Sequence, residues 1–309
     1  MDEIDELVKR MRNSCFFCSQ PIVEKKTQEH IIPNSLLGRL GIKEQTVVGK
    51  SSFQYSRVKV PAHGTCNNSF GSSYESEIIK LLEDTDKLYD DLKIEENRMP
   101  LQYSPSESIT MLVSTWLSKI YYGLFYNDFL KINDDEFKET AKSIIDTDNF
   151  RIIQNAYKDG VGFCLPSSLY VFKSNEDFFD LQTIIYPQTI LMKVNTLIMI
   201  LCIGDGFLTK KYLGRETLSE FRKKLELEEM DSGRFPLHLF ALSEILALRL
   251  CIPKTPSFIY SDKQIANMSF FTLVQNPKEF YKVDGRKVAE KRNEILRNLI
   301  DRIENPTEC

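Results

Sequence analysis

Several absences narrow the reading of this chain. No run of about 18 apolar residues occurs, so no membrane-spanning helix is expected; the longest apolar stretch, Leu197 to Ile203, reads as a buried strand. Neither an internal repeat nor a low-complexity tract is present, which excludes solenoid and fibrous architectures. The chain opens Met-Asp-Glu-Ile-Asp, acidic rather than basic-then-apolar, so no secretory leader is expected and the cytoplasm is the expected compartment. Seven cysteines in 309 residues, an odd number, do not make a disulfide framework. Close cysteine pairs in such a chain point to metal or redox chemistry. Nor is there an overall excess of positive charge: 40 Lys and Arg against 44 Asp and Glu leave −4, giving no global case for a polyanion partner.

The distribution of charge is more informative than its sum. Between Lys9 and Phe70 ten bases face three acids, a local +7, so the rest of the chain carries −11. A basic segment of this kind is the electrostatic footprint of a phosphate-backbone binder. Within it lie two pairs of soft metal ligands, each with two residues between its members: Cys15-Phe-Phe-Cys18 and His63-Gly-Thr-Cys66. Four such ligands satisfy tetrahedral zinc with no open position, so this site is expected to be structural. The two pairs bracket Glu29-His30-Ile31-Ile32-Pro33, and Asn67-Asn68 directly follows the last ligand. Histidine is the natural base for activating water near neutral pH. A carboxylate and an amide oxygen are hard ligands that suit magnesium or manganese. Asn67 is expected to open a helix running to about Leu82.

At these residues, over about 14–80, the chain resembles the HNH nuclease family, in its branch with paired Cys/His zinc ligands. The resemblance implies a ββα-metal fold in which His30 is the general base and Glu29 and Asn67 hold a catalytic Mg2+ or Mn2+. Cys15, Cys18, His63 and Cys66 would hold structural Zn2+, Pro33 would shape the loop leaving the histidine, and Asn68 and Glu75 are supporting residues without an assigned role. His63 stands where this branch usually has cysteine. Val58 stands where many members have an asparagine that orients the base, so another group, such as a backbone carbonyl, must orient His30.

The expected architecture is α+β, with a zinc-stapled nuclease domain over 1–98 followed by a larger, mainly helical α+β domain over 105–309. Met99-Pro100 and Ser104-Pro105 punctuate the boundary. Helices are expected over 1–13, from Ser106 or Ser108 to Leu130, and over 134–146, 150–158, 216–229, 237–251 and 287–303. Strands are expected over 169–173, 183–186, 189–194 and 196–203. The function expected is metal-dependent hydrolysis of DNA, ahead of RNA, with 105–309 regulating it by sensing, a partner protein or homodimerisation. By analogy such an architecture suits the effector of a bacterial anti-phage or restriction-type system. The alternative is a weak or inactive zinc-stabilised nucleic-acid-binding module whose second domain senses a ligand or partner. The basic helix 286–302 is expected to dock its apolar stripe and leave its charges in solvent.

Overall fold

The computed structural model describes residues 3–23, 26–47, 53–95, 108–147, 150–151, 153–154, 157, 167–205, 209, 218–225, 236–252 and 284–304. Helix α1 (Glu3–Arg12) has Ile4, Leu7, Val8 and Met11 at helical spacing, and all four are buried. Strand β1 (Thr27–His30) pairs antiparallel with β4 (Lys59–Ala62), placing Thr27 opposite Ala62 and His30 opposite Lys59. Pro61 has no N–H to give, and this two-stranded ladder does not require one of it. Between these strands lie α2 (Asn34–Arg39) and the short pair β2 (Thr46–Val47) and β3 (Phe53–Gln54).

Helix α3 (Gly64–Phe70) follows β4 at once, passes through a π-helical turn at Gly71–Glu75 and continues as α4 (Ser76–Leu81). This corrects one expectation. The helix starts three residues before Asn67, whose N–H already donates to the His63 carbonyl at 3.0 Å. Asn67 therefore lies inside the first turn and neither caps the helix nor offers a free N–H to a phosphate.

Helix α5 (Thr85–Glu95) ends on Glu95, whose carboxylate accepts from Ser108 Oγ at 2.8 Å and from the N–H groups of Ile109 and Thr110 at 3.1 and 2.8 Å. Those are the open donors at the start of α6 (Ile109–Lys131), where Ser108 also caps by accepting from Met111 N–H. Ser106 and the expected boundary near 99–105 lie outside the described residues. The helix is buried on every side from Met111 to Asn127. Helix α7 (Asp135–Ile145) is capped by Asp134.

A four-stranded antiparallel sheet follows, ordered β5-β8-β7-β6: β5 (Ser168–Lys173), β6 (Asp180–Ile184), β7 (Thr189–Val194) and β8 (Leu197–Cys202). β6 starts three residues before its expected position, at a polar Asp-Leu-Gln that lacks the β-rich signal, and ends before Ile185-Tyr186, which lies in the turn to β7. β7 and β8 are buried along both faces, so β8 reads as an unbroken apolar run and β7 is interrupted by the buried Lys193, whose Nζ donates to the Glu176 and Asn195 carbonyls. One face carries Val171, Met192, Val194 and Met199 into a cluster with α6 and the N-terminal segment. The other carries Tyr170, Phe172, Leu191 and Ile200 against residues 218–225 and α8 (Leu237–Cys251).

The first of these clusters joins residues from both sides of the expected boundary, from Ile4 to Ile203. The two stretches share a core. Helix α9 (Gly285–Glu304) packs on α8, with Arg292 tied to Glu244 at 2.6 Å, Leu299 buried, and Arg286, Lys287 and Arg297 exposed. Among the described residues no helix is long and apolar enough to cross a membrane.

Candidate metal centre and active site

The two ligand pairs meet. The ligand atoms of Cys15, Cys18, His63 and Cys66 all lie within 4.8 Å of one another. His63 Nδ1 is 3.4 Å from Cys18 Sγ and 3.9 Å from Cys66 Sγ. A tetrahedral zinc with Zn–S near 2.3 Å and Zn–N near 2.0 Å separates nitrogen and sulfur ligands by about 3.6 Å, so the donors fit that ion. His63 Nε2 lies 3.2 Å from the Pro21 carbonyl, and a proton there leaves the Nδ1 lone pair for metal. The Cys18 S–H and the backbone N–H groups of His63, Cys18 and Phe17 lower Cys15 to about 5 against the opposing effect of burial. The same hydrogen bond and burial raise Cys18, and burial raises Cys66, so the donor environment favours the thiolate at Cys15.

The knuckle rests on aromatic rings and one amide. Phe16 packs against Phe17, Tyr126, Phe150 and Tyr157. Gln154, buried and far along the chain, donates to the Phe16 carbonyl at 2.6 Å and accepts from Ser19 Oγ at 2.7 Å, bracing both ends of the Cys15–Cys18 turn.

His30 ends β1, directly after Glu29. Successive strand residues face opposite ways, and here Glu29 is buried while His30 is partly open. Burial lowers the His30 pKa, the Lys59 and Lys119 charges add to that, and Glu29 opposes it. The net shift is downward and favours the neutral ring that a base needs. Its Nε2 lies 3.2 Å from the side-chain nitrogen of Asn34, in the first turn of α2. That nitrogen donates to Nε2, so the neutral ring carries its proton on Nδ1 and Nε2 is the basic atom. The group facing His30 is thus a side chain, where the Val58 substitution had suggested a backbone carbonyl. The Val58 carbonyl instead accepts from Ile31 N–H at 3.1 Å.

Glu29 and Glu75 converge on Lys119 of α6, which sequence reasoning missed. The Lys119 ammonium, fully buried, donates to Glu29 Oε1 at 2.6 Å, Glu75 Oε1 at 2.5 Å and the His30 carbonyl at 2.7 Å. Its three protons therefore have three acceptors. Burial raises Glu75, Lys119 opposes, and the neighbouring Glu29 reinforces the rise. Asn67 is half-buried on α3 and Asn68 exposed. A divalent ion held by Glu29 would take the carboxylate oxygen that Lys119 leaves.

A single row of α6 braces the hairpin: Lys119, Gly123, Asn127 and Lys131, each four residues apart. A Cβ on Gly123 would lie 2.2 Å from Ile31 Cδ1, so only glycine allows this approach. Asn127 Oδ1 accepts from Lys59 N–H at 3.3 Å, and Lys131 Nζ donates to the Arg57 carbonyl at 3.0 Å.

Protein-family models, curated proteins and solved structures give no match to this chain.

Proposed function

We propose that this protein is a metal-dependent endonuclease of the HNH type that hydrolyses DNA phosphodiester bonds. The observation that carries the reading is the joint placement of a Cys3His cluster and a half-open His30 on one short hairpin-and-helix unit. In this reading His30 takes the proton from the attacking water. Glu29 and Asn67 hold Mg2+ or Mn2+, which when bound would neutralise charge building on the phosphate. Zn2+ at Cys15, Cys18, His63 and Cys66 fixes the start of α3, and so the backbone of Asn67. Asn34 orients the imidazole, while Glu75 shares Lys119 with Glu29. Lys26, Lys59, Arg57 and Lys131 lie on or beside this hairpin and offer positive charge to a nucleic-acid backbone.

One observation favours the second reading, a nucleic-acid-binding module that does not cut: Glu29 already spends an oxygen on an ammonium group. The two readings diverge in a nicking assay. Full-length protein with supercoiled plasmid should nick it in magnesium or manganese and stop in chelator. Binding without nicking in either metal would favour the module. Parallel reactions on single-stranded RNA decide the substrate class. Regulation through 105–309, including a role in anti-phage defence, is part of the same proposal and rests on the shared core, through which a change in that region would reach His30.

A further inference from the structure

Lys119 lies 89 residues from His30 along the chain, yet its ammonium touches the candidate base's own carbonyl and its neighbour's carboxylate. A fully buried lysine is rare unless paired, and this one is fully satisfied. Its flanks on α6 are held independently, by Gly123 against Ile31 and by Asn127 on Lys59. The ammonium is therefore delivered by a rigid helix rather than by a loop. Phe70 lies 5.4 Å from the ammonium, adding a favourable ring face and closing one side.

We infer that Lys119 is a positioning residue for the proposed active site: it locks the His30 backbone and one Glu29 oxygen in place, so that the imidazole and the remaining Glu29 oxygen face the substrate in fixed register. This rests on the nuclease reading. The physical basis is geometric. A base must lie within hydrogen-bond reach of the proton it removes, and a displacement of an ångström is enough to cost roughly 100-fold in rate. Two carboxylates around one ammonium leave a single net negative charge, so loss of Lys119 alone would leave two acids facing each other unpaired. The informative variant is therefore Lys119→Met combined with Glu75→Gln, which keeps the net charge at −1 and removes the lock.

The expected result has two independent readouts on the full-length zinc-loaded protein. At saturating manganese the nicking rate of Lys119→Met/Glu75→Gln falls by about 100-fold, while the manganese concentration giving half the maximal rate does not rise, because the net charge beside the metal ligand is unchanged. A merely destabilising change would instead lower the folded fraction, seen in urea unfolding. The second readout needs no activity. The chain has only three histidines, so the imidazole Cε1–H resonances can be assigned by substitution. In the wild type, above the ring's pKa, His30 should give one narrow signal. In the double variant it should broaden or split, while His63 and His238 stay put. An unchanged His30 signal, or wild-type nicking by the double variant, overturns the inference. If the wild type cuts nothing but the His30 signal still responds, the nuclease reading fails and the positioning contact stands.

Discussion

The approach of α6 to the His30 strand can be tested by a double-mutant cycle at Gly123 and Ile31. Gly123→Ala adds one carbon, which would sit 2.2, 2.8 and 3.1 Å from Ile31 Cδ1, Cγ1 and Cγ2. Ile31 is fully buried, so it has little room to turn away. Overpacking of this kind costs about 1–3 kcal/mol, against a gain of about 1 kcal/mol from replacing glycine by alanine inside a helix. The single variant should therefore be destabilised by roughly 1 kcal/mol net. Ile31→Ala alone should cost about 2–5 kcal/mol through lost burial and the cavity left behind. It also removes all three atoms that the new methyl would meet. In that background Gly123→Ala should reverse sign and stabilise by about 1 kcal/mol, from helix propensity and partial filling of the cavity. The assay is equilibrium unfolding of the full chain in urea, followed by circular dichroism with zinc in the buffer, using the shift in midpoint at constant slope. If Gly123→Ala has the same effect in both backgrounds, α6 does not pack on Ile31 as described, and the route from α6 to His30 is lost.

Three further outcomes follow from the same contacts. Cys18→Ser should abolish tight zinc binding, where elemental analysis of the wild type should find about one zinc per chain; since structural zinc contributes on the order of 10 kcal/mol to such sites, the N-terminal unit should lose cooperative unfolding. Gln154→Ala should leave the Phe16 carbonyl buried without a donor, costing about 1–3 kcal/mol, and zinc should pass faster to a coloured chelator. A fragment ending near Pro100 should fail to form a cooperative fold and should bind a hydrophobic dye, because Ile31, Phe16 and Phe70 lose the α6 residues that cover them; a soluble fragment with a sharp unfolding transition would show that the shared core is dispensable.

What could be read from the residues, and what could not, divides along physical lines. The two ligand pairs were legible because metal coordination imposes a local spacing. Strand β8 was legible because burial on both faces leaves an unbroken apolar run, β7 because Ile190, Leu191, Met192 and Val194 stay apolar around Lys193, and α1 because its apolar positions keep one helical face. Ser108, the cap of α6, was one of two serines the residues offered as its start, with Ser106. The start of α3 was placed too late because asparagine is a common capping residue, whereas here His63 holds that position and Asn67 lies one turn in. Helix α2 and its Asn34 were missed: six residues after Pro33 carry too little periodicity to separate from a loop.

Lys119 was hidden for a different reason. A charge in the middle of an apolar helix announces that a partner exists, but the partner lies 44 and 90 residues away and no local pattern names it. A clue was present nevertheless. Lys119, Gly123, Asn127 and Lys131 recur every four residues through α6, a polar and small row on a helix whose other small or polar residues are Thr110, Ser114, Thr115, Ser118 and Asp128. The row meets the hairpin through the Arg57 and His30 carbonyls, the Lys59 N–H, the Glu29 carboxylate and the Ile31 side chain.

His30 carries the proposed chemistry most directly. Wild type and His30→Ala, purified to equal zinc content and equal urea midpoint, should be compared on supercoiled plasmid in manganese. Loss of a general base predicts that the variant nicks about 100-fold or more slowly, with its zinc retained. Equal nicking rates for the two proteins would contradict the assignment of the active site.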